Sequence, residues 1–168
     1  MVDIVIVYLG GWLYMVDVSI GYDYSKNILK ITSGSIRYNL SLRRFKVQIT
    51  GDSGVGKSLL YSTIEKFKKN DKSNGTSFAS NIYLVEDFES WSRISSCVKH
   101  CLFVVDNSEY IINEDKKFLD GIKHDLNNQY IIIARRAYNL GISGNNYATL
   151  KLVNGIFGLE YALNIRGW

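Results

Sequence analysis

A glycine-rich segment in the first half of the chain has the residue types and the spacing that bind phosphate groups. Residues 51–58 read Gly-Asp-Ser-Gly-Val-Gly-Lys-Ser and fit G-x-x-x-x-G-K-[ST] without a gap. Three glycines let the backbone curl until successive amide hydrogens point at one anion. Lys57 brings a cation to the β- and γ-phosphates, and Ser58 offers a hydroxyl to magnesium. The predicted binding residues for ATP and Mg²⁺ are Gly51, Asp52, Ser53, Gly54, Val55, Gly56, Lys57, Ser58 and Leu59.

An aspartate at the end of an apolar run is the second candidate for this site. Residues 101–105 are almost continuously apolar, which is typical of a strand buried on both faces, and Asp106 follows them. In a parallel sheet, the carboxyl end of such a strand faces the ligand crevice. We therefore expect Asp106 to hold magnesium together with Ser58, mostly through water. The alternative is an ordinary strand-end residue.

Strand and helix patterns alternate around these residues from position 45 to position 136. The predicted strands are 45–50, 81–85, 101–106 and 130–134, and the predicted helices are 57–69, 88–98 and 114–126. Residues 70–80 are polar and predict a loop. Such alternation indicates a parallel α/β sheet. The glycine-rich segment would then connect a strand to the positive end of a helix, where anions bind.

Both ends of the chain predict antiparallel β-structure. The N-terminal strand candidates are 4–9, 13–18, 28–32 and 35–42. Asn154-Gly155 separates two further strand-like runs, and this dipeptide is the strongest short-range hairpin signal. The predicted fold class is therefore α/β, in one domain. A parallel-sheet core at 45–136 would carry antiparallel β additions at 1–44 and a C-terminal β-hairpin at 147–163.

Residues 51–58 and Asp106 resemble the Walker A and Walker B motifs of the P-loop NTPase superfamily, over roughly residues 36–136. One predicted strand lies between the two motifs, and another follows them. This order resembles the additional-strand ATPases, which include AAA+, ABC-type and RecA-like proteins. The resemblance implies a P-loop NTPase core that binds ATP.

Two narrower families lack their own markers in this sequence. The ABC signature Leu-Ser-Gly-Gly-Gln should precede the Walker B strand, but the only similar stretch, residues 141–144, follows it. Ras-like GTPases read guanine through Asn-Lys-x-Asp, and we find no such motif at a workable position. ATP is therefore favoured over GTP.

At the positions that carry out hydrolysis in additional-strand ATPases, this sequence matches the family less well. Additional-strand ATPases usually place a glutamate directly after the Walker B aspartate, but here Asn107 follows, and an amide cannot accept the proton. Glu109 could serve as the base or could be a surface residue. Arg135 follows the last buried strand, where related ATPases carry a residue that senses the γ-phosphate, or it is a solvated strand end. The catalytic candidates are Lys57, Glu109 and Arg135.

Composition limits the class of protein. The 168 residues are 46% hydrophobic and 21% charged, which is typical of a globular domain, and the net charge of +4 is too small to indicate nucleic-acid binding by itself. The most apolar stretch, residues 4–16, is shorter than the ~20 residues of a bilayer span. We therefore expect a cytoplasmic protein without a membrane span and without a clear nucleic-acid motif. Cys97, His100 and Cys101 lack a fourth ligand for zinc.

Three functions remain open at this point. The first is a small ATPase or an ATP-dependent switch. The second is a nucleotide-binding regulatory module with little turnover, acting through an unidentified protein partner. The third is a small nucleotide or metabolite kinase, which would need a lid carrying several arginines, whereas residues 70–80 offer only Lys72.

Overall fold

The computed structural model describes residues 3–9, 12–52, 54, 56–74, 80–106, 116–135 and 146–162. Ten strands and three helices occur in these ranges. The strands are β1 (Asp3–Leu9), β2 (Trp12–Asp23), β3 (Ile28–Ser33), β4 (Ile36–Ser41), β5 (Lys46–Thr50), β6 (Ile82–Val85), β7 (Leu102–Val105), β8 (Gln129–Ile133), β9 (Tyr147–Val153) and β10 (Ile156–Tyr161). The helices are α1 (Lys57–Asn74), α2 (Phe88–Ser95) and α3 (Lys116–His124).

All ten strands belong to one mixed sheet, in the order β1-β2-β3-β4-β10-β9-β5-β8-β7-β6. Strands β1 to β4 pair with one another in antiparallel fashion. The pairings that join β9, β5, β8, β7 and β6 are parallel. Strand β10 pairs antiparallel with β9 and parallel with β4, so the hairpin strand connects the two regions of the sheet.

The predicted fold class is wrong. We expected a parallel-sheet α/β P-loop core to which separate antiparallel segments were added at each end. Instead, one continuous mixed sheet includes every described strand, and the described residues contain only three helices. The reason is β10: without it, β4 and β9 would each present an unpaired edge, and exposed edges favour pairing with another strand. β10 satisfies both edges and so makes the β-rich ends part of the main sheet.

The central strands bury both of their faces because successive side chains point to opposite sides. On β7, Leu102 and Val104 pack in the core cluster that contains α1, while Phe103 and Val105 pack in the cluster that contains α2 and α3. The first cluster continues into β2, β3 and β4 through apolar side chains such as Leu29 and Leu40. Helix α1 is therefore held against a long apolar surface that spans both regions of the sheet.

Two predicted local features differ in outcome: the Asn154-Gly155 hairpin is present, and the loop predicted after the first helix is misplaced. Helix α2 is capped by Asp87, which accepts a hydrogen bond from the Ser90 amide at 2.8 Å. The hairpin turn has Asn154 and Gly155 at φ values of 50° and 77°, the left-handed region that this dipeptide tolerates. Helix α1 runs to Asn74, so the loop predicted for residues 70–80 begins too early.

A hydrogen-bonded carboxylate follows helix α3. Asp125 accepts hydrogen bonds from the Tyr130 hydroxyl at 2.5 Å and from the Asn128 side chain at 2.9 Å. The amides of Asn127 and Asn128 also donate to it. Burial opposes ionisation, but these donors prevail, and the pKa of Asp125 lies below its usual value.

The lowered pKa of Asp125 predicts a specific loss of stability in acid. A depressed carboxyl pKa stabilises the fold above the unfolded-state pKa, and that contribution disappears as the pH falls through the folded-state pKa. Asp125→Asn should therefore reduce the dependence of the unfolding free energy on pH below about 5. Urea unfolding at a series of pH values measures this. Asp120→Asn, at an exposed position on α3, should keep the wild-type slope. An unchanged slope in Asp125→Asn would contradict the assignment.

Candidate functional site

The segment between β5 and α1 is a turn that requires glycine. Gly51, Gly54 and Gly56 have φ values of 123°, 99° and 90°, in a region that side-chain-bearing residues rarely adopt. Ser53 and Val55, two of the predicted binding residues, lie outside the described residues. The three glycines therefore have the backbone freedom that the sequence analysis assigned to them.

Gly56 is constrained by its neighbours as well as by its φ angle. A Cβ atom at this position would lie 2.9 Å from Cε1 and 3.1 Å from Cζ of Phe157 on β10. The Gly56 carbonyl accepts hydrogen bonds from the Leu60 amide at 2.9 Å and from the Tyr38 hydroxyl at 3.1 Å. The start of α1 is thus fixed by one aromatic residue from β4 and another from β10.

Lys57 is folded back over the turn. Its side chain is buried, and its Nζ donates hydrogen bonds to the carbonyl oxygens of Gly51 and of Asp52, the latter at 2.7 Å. Burial lowers the pKa of Lys57. The carboxylates of Asp52 and Asp106 oppose this shift, whereas the positive charge of Arg135 adds to it. The ammonium group therefore lies among two carboxylates and a second cation at the mouth of the turn.

A second buried lysine shows a different arrangement. Lys46 Nζ donates to the carbonyl oxygens of Asp125 at 2.7 Å and of Lys123 at 3.4 Å, beside the C-terminal end of α3. Cations stabilise that end of a helix because the backbone carbonyls there lack intrahelical partners. Lys46 is therefore a structural lysine, whereas Lys57 lies beside a cavity.

The cavity beside Lys57 has a volume of about 780 Å³. Its walls are formed by the turn, the first residues of α1, Arg135 and one residue of β10. The lining residues are Gly51, Asp52, Gly54, Gly56, Lys57, Ser58, Leu59, Arg135 and Phe157. The structure thus brings Arg135, Ser58 and Leu59 to the same cavity as the glycine-rich turn.

Asp106 lies at the same edge of the sheet as this cavity. Val105 is level with Ile132 on β8, and Ile133 is level with Ile49 on β5, so Asp106 is level with Ile49, two residues before the turn begins at Gly51. One strand separates β7 from β5, which places their ends about 10 Å apart at the usual strand spacing. Asp106 is not among the residues that line the cavity, although its carboxylate is close enough to raise the pKa of Lys57. Asn107 and Glu109 lie outside the described residues.

Phe157 and Tyr38 are neighbours of the turn that the sequence does not predict. The Asn-Gly signal predicted the hairpin, but nothing in it indicates that β10 lies beside β4. The aligned pair Phe157 and Tyr38 brings both rings to Gly56. When the neighbours of a strand are unknown, an aromatic residue on that strand is normally assigned to the core. No sequence signal distinguishes Phe157 and Tyr38 from other core aromatic residues.

Within the described ranges, no group of three or more His, Cys, Asp or Glu residues is placed to hold a metal ion. A magnesium ion at Ser58 and Asp106 would therefore need phosphate oxygens and water to complete its coordination.

Among the described residues, no helix combines the length and apolar character needed to cross a bilayer.

Comparisons of the chain with protein-family models, curated proteins and solved structures find no match. A function for this chain is therefore inferred from its own residues.

Proposed function

We propose that this chain binds ATP as its magnesium complex, with the phosphate chain in the turn formed by residues 51–58. The observation that carries the proposal is the buried Lys57 ammonium, which lies over three left-handed glycines at the start of an 18-residue helix. The first turn of a helix has unpaired amide hydrogens and a partial positive charge, both of which favour an anion.

The charges around the cavity favour a polyanionic ligand. The first turn of α1 has no acidic residue that would compete with phosphate. Lys57 and Arg135 both line the cavity, and the charge of Arg135 lowers the pKa of Lys57, while the Asp52 and Asp106 carboxylates act in the opposite direction. A triphosphate would add negative charge beside both cations and offset the desolvation of Lys57.

Magnesium would be held by the Ser58 hydroxyl and, through water, by Asp106. Mg²⁺ keeps several waters and binds through one or two protein oxygens together with substrate phosphates. Both residues lie at the edge of the sheet that carries the cavity. In this arrangement Arg135 would contact the terminal phosphate and stabilise its charge.

ATP is favoured as the nucleotide because the Asn-Lys-x-Asp motif that reads guanine is missing from workable positions in the sequence. The features of the described residues support nucleotide binding more directly than nucleotide hydrolysis. Hydrolysis needs a base as well, and the residue directly after Asp106 is an asparagine.

Nucleotide-dependent stabilisation tests this proposal. A ligand at 100 times its Kd adds about 2.7 kcal/mol to the unfolding free energy, which for a chain of this size raises Tm by roughly 5–10 °C. We expect that shift with ATP and magnesium, a smaller one with ATP and EDTA or with ADP, and none with adenosine. Differential scanning fluorimetry measures it. The proposal is wrong if no nucleoside triphosphate at millimolar concentration changes Tm.

A further inference from the structure

We propose that Phe157 is the surface against which the nucleobase of the bound nucleotide packs. The inference rests on the proposed function and assigns a role to a residue outside the glycine-rich turn. Phe157 is half-buried, lies on β10 and lines the same cavity as Lys57 and Gly56. Among the described residues that line that cavity, Phe157 is the aromatic one.

The ring of Phe157 is held in place before any ligand arrives. Its centroid lies 4.8 Å from that of Tyr38, with the two rings inclined by 19°, so Tyr38 covers one face. Tyr38 is itself 2% exposed, and its hydroxyl is bonded to the Gly56 carbonyl. The edge of the Phe157 ring lies against Gly56. A ring restrained in this way loses little conformational entropy when a ligand stacks on it.

The size of the cavity indicates more than a phosphate site. About 780 Å³ falls within the range of roughly 300–1,000 Å³ that is usual for small-molecule sites. The turn and Lys57 supply the polar part of the lining, while Leu59 and Phe157 supply apolar side chains. A nucleotide has the same division, because its phosphates are charged and the faces of its base are apolar.

The apolar part of this surface continues beyond Phe157. Leu152 on β9 is its direct cross-strand partner, and such partners lie on the same face of a sheet. The Leu152 side chain is 58% exposed. Phe157 and Leu152 therefore form an apolar strip on the face of β10 and β9 that carries the contact with Gly56, next to the cavity that Phe157 lines.

Stacking on a phenyl ring does not read the hydrogen-bonding edge of a base. The contribution of Phe157 should therefore be the same for adenine and guanine nucleotides and should be missing for a phosphate chain that has no base. This pattern distinguishes stacking from an indirect effect of Phe157 on the shape of the turn.

Isothermal titration calorimetry with magnesium and three ligands, ATP, GTP and inorganic tripolyphosphate, tests the inference. Phe157→Leu keeps an apolar side chain but removes the ring, and it should weaken ATP and GTP binding by the same factor, about 5- to 100-fold. Its affinity for tripolyphosphate should stay within about twofold of wild type. Phe157→Tyr keeps the ring and should bind all three ligands like wild type. Ile156→Ala, at an exposed neighbouring position on β10, is the matched control and should also bind like wild type.

Each other outcome overturns the inference. Equal weakening of tripolyphosphate by Phe157→Leu would mean that the ring acts through the turn, and unchanged nucleotide affinity would mean that it does not contact the base. If Phe157→Leu does not fold, loss of nucleotide affinity in the folded Phe157→Tyr variant would count against stacking in the same way. A wild-type protein that binds none of the three ligands would instead overturn the proposed function, and this inference with it.

Discussion

Replacing Lys57 with alanine should weaken ATP binding by about 30- to 5,000-fold, since truncating one partner of a buried charge pair costs roughly 2–5 kcal/mol. In the wild type, the buried ammonium already lies over the turn and bonds to the carbonyls of Gly51 and Asp52. A bound phosphate chain would replace part of the hydrogen bonding between the Lys57 ammonium and these carbonyl oxygens. Calorimetric titration of both proteins with ATP and magnesium measures the loss.

Two further variants sharpen this test of Lys57. Lys66→Ala removes a lysine from an exposed position on the same helix and should leave ATP affinity within about twofold of wild type. Lys57→Arg keeps the charge but replaces a compact ammonium with a planar fork, so we expect an affinity between those of wild type and Lys57→Ala. If Lys57→Ala binds ATP like wild type, the turn is not the phosphate site.

Gly121→Ala should be the most destabilising of the conservative changes considered for this chain. A Cβ at Gly121 on α3 would lie 2.8 Å from Cζ3 of Trp91 and closer still to Cη2. Trp91 cannot easily move, because its ring packs edge-on against Phe118 at 5.0 Å and its Nε1 donates to the Tyr130 hydroxyl at 3.2 Å. Overpacking of this kind costs about 1–3 kcal/mol and occasionally more, while the better helix propensity of alanine returns about 1 kcal/mol.

Because Trp91 is held in place, the upper end of the overpacking cost applies, and after the propensity gain we expect Gly121→Ala to lower the unfolding free energy by about 2 kcal/mol, measured by urea denaturation. Gly21→Ala is the matched control, because a Cβ at Gly21 meets nothing within 4 Å and the φ angle there is not left-handed. Its effect should stay within about 1 kcal/mol. In a Trp91→Phe background, which makes room at this position, the added cost of Gly121→Ala should shrink. The same cost in both backgrounds would show that the Trp91 contact is not its cause.

The individual strands and helices of this protein could be predicted from its sequence because their signals are local. An apolar run at β7 indicates a strand that is buried on both faces, and Asn154-Gly155 determines where β9 ends and β10 begins. Residues 70–74 extend α1 without apolar periodicity, so the end of that helix carries no comparable signal.

The arrangement of the strands could not be predicted in the same way, and the fold-class prediction failed for that reason. Whether β10 lies beside β4 depends on packing between side chains far apart in the sequence, such as the Phe157 and Tyr38 rings. The glycine-rich turn could be predicted because consecutive residues form it. The position of Phe157 at the cavity could not be predicted, because it depends on the order of the strands in the sheet.

The central position of β10 also bears on how the chain is made. β10 is the last of the described strands in sequence, yet it lies between β4 and β9 in the sheet. During synthesis, β1 to β8 leave the ribosome before β10. The edge of β4 that pairs with β10 therefore stays unpaired until residues 156–161 emerge. Pairing between segments so distant in sequence closes a long loop and is slow for that reason. The nascent chain therefore passes through a stage in which the glycine-rich turn has been made but the strand that places Phe157 beside it has not.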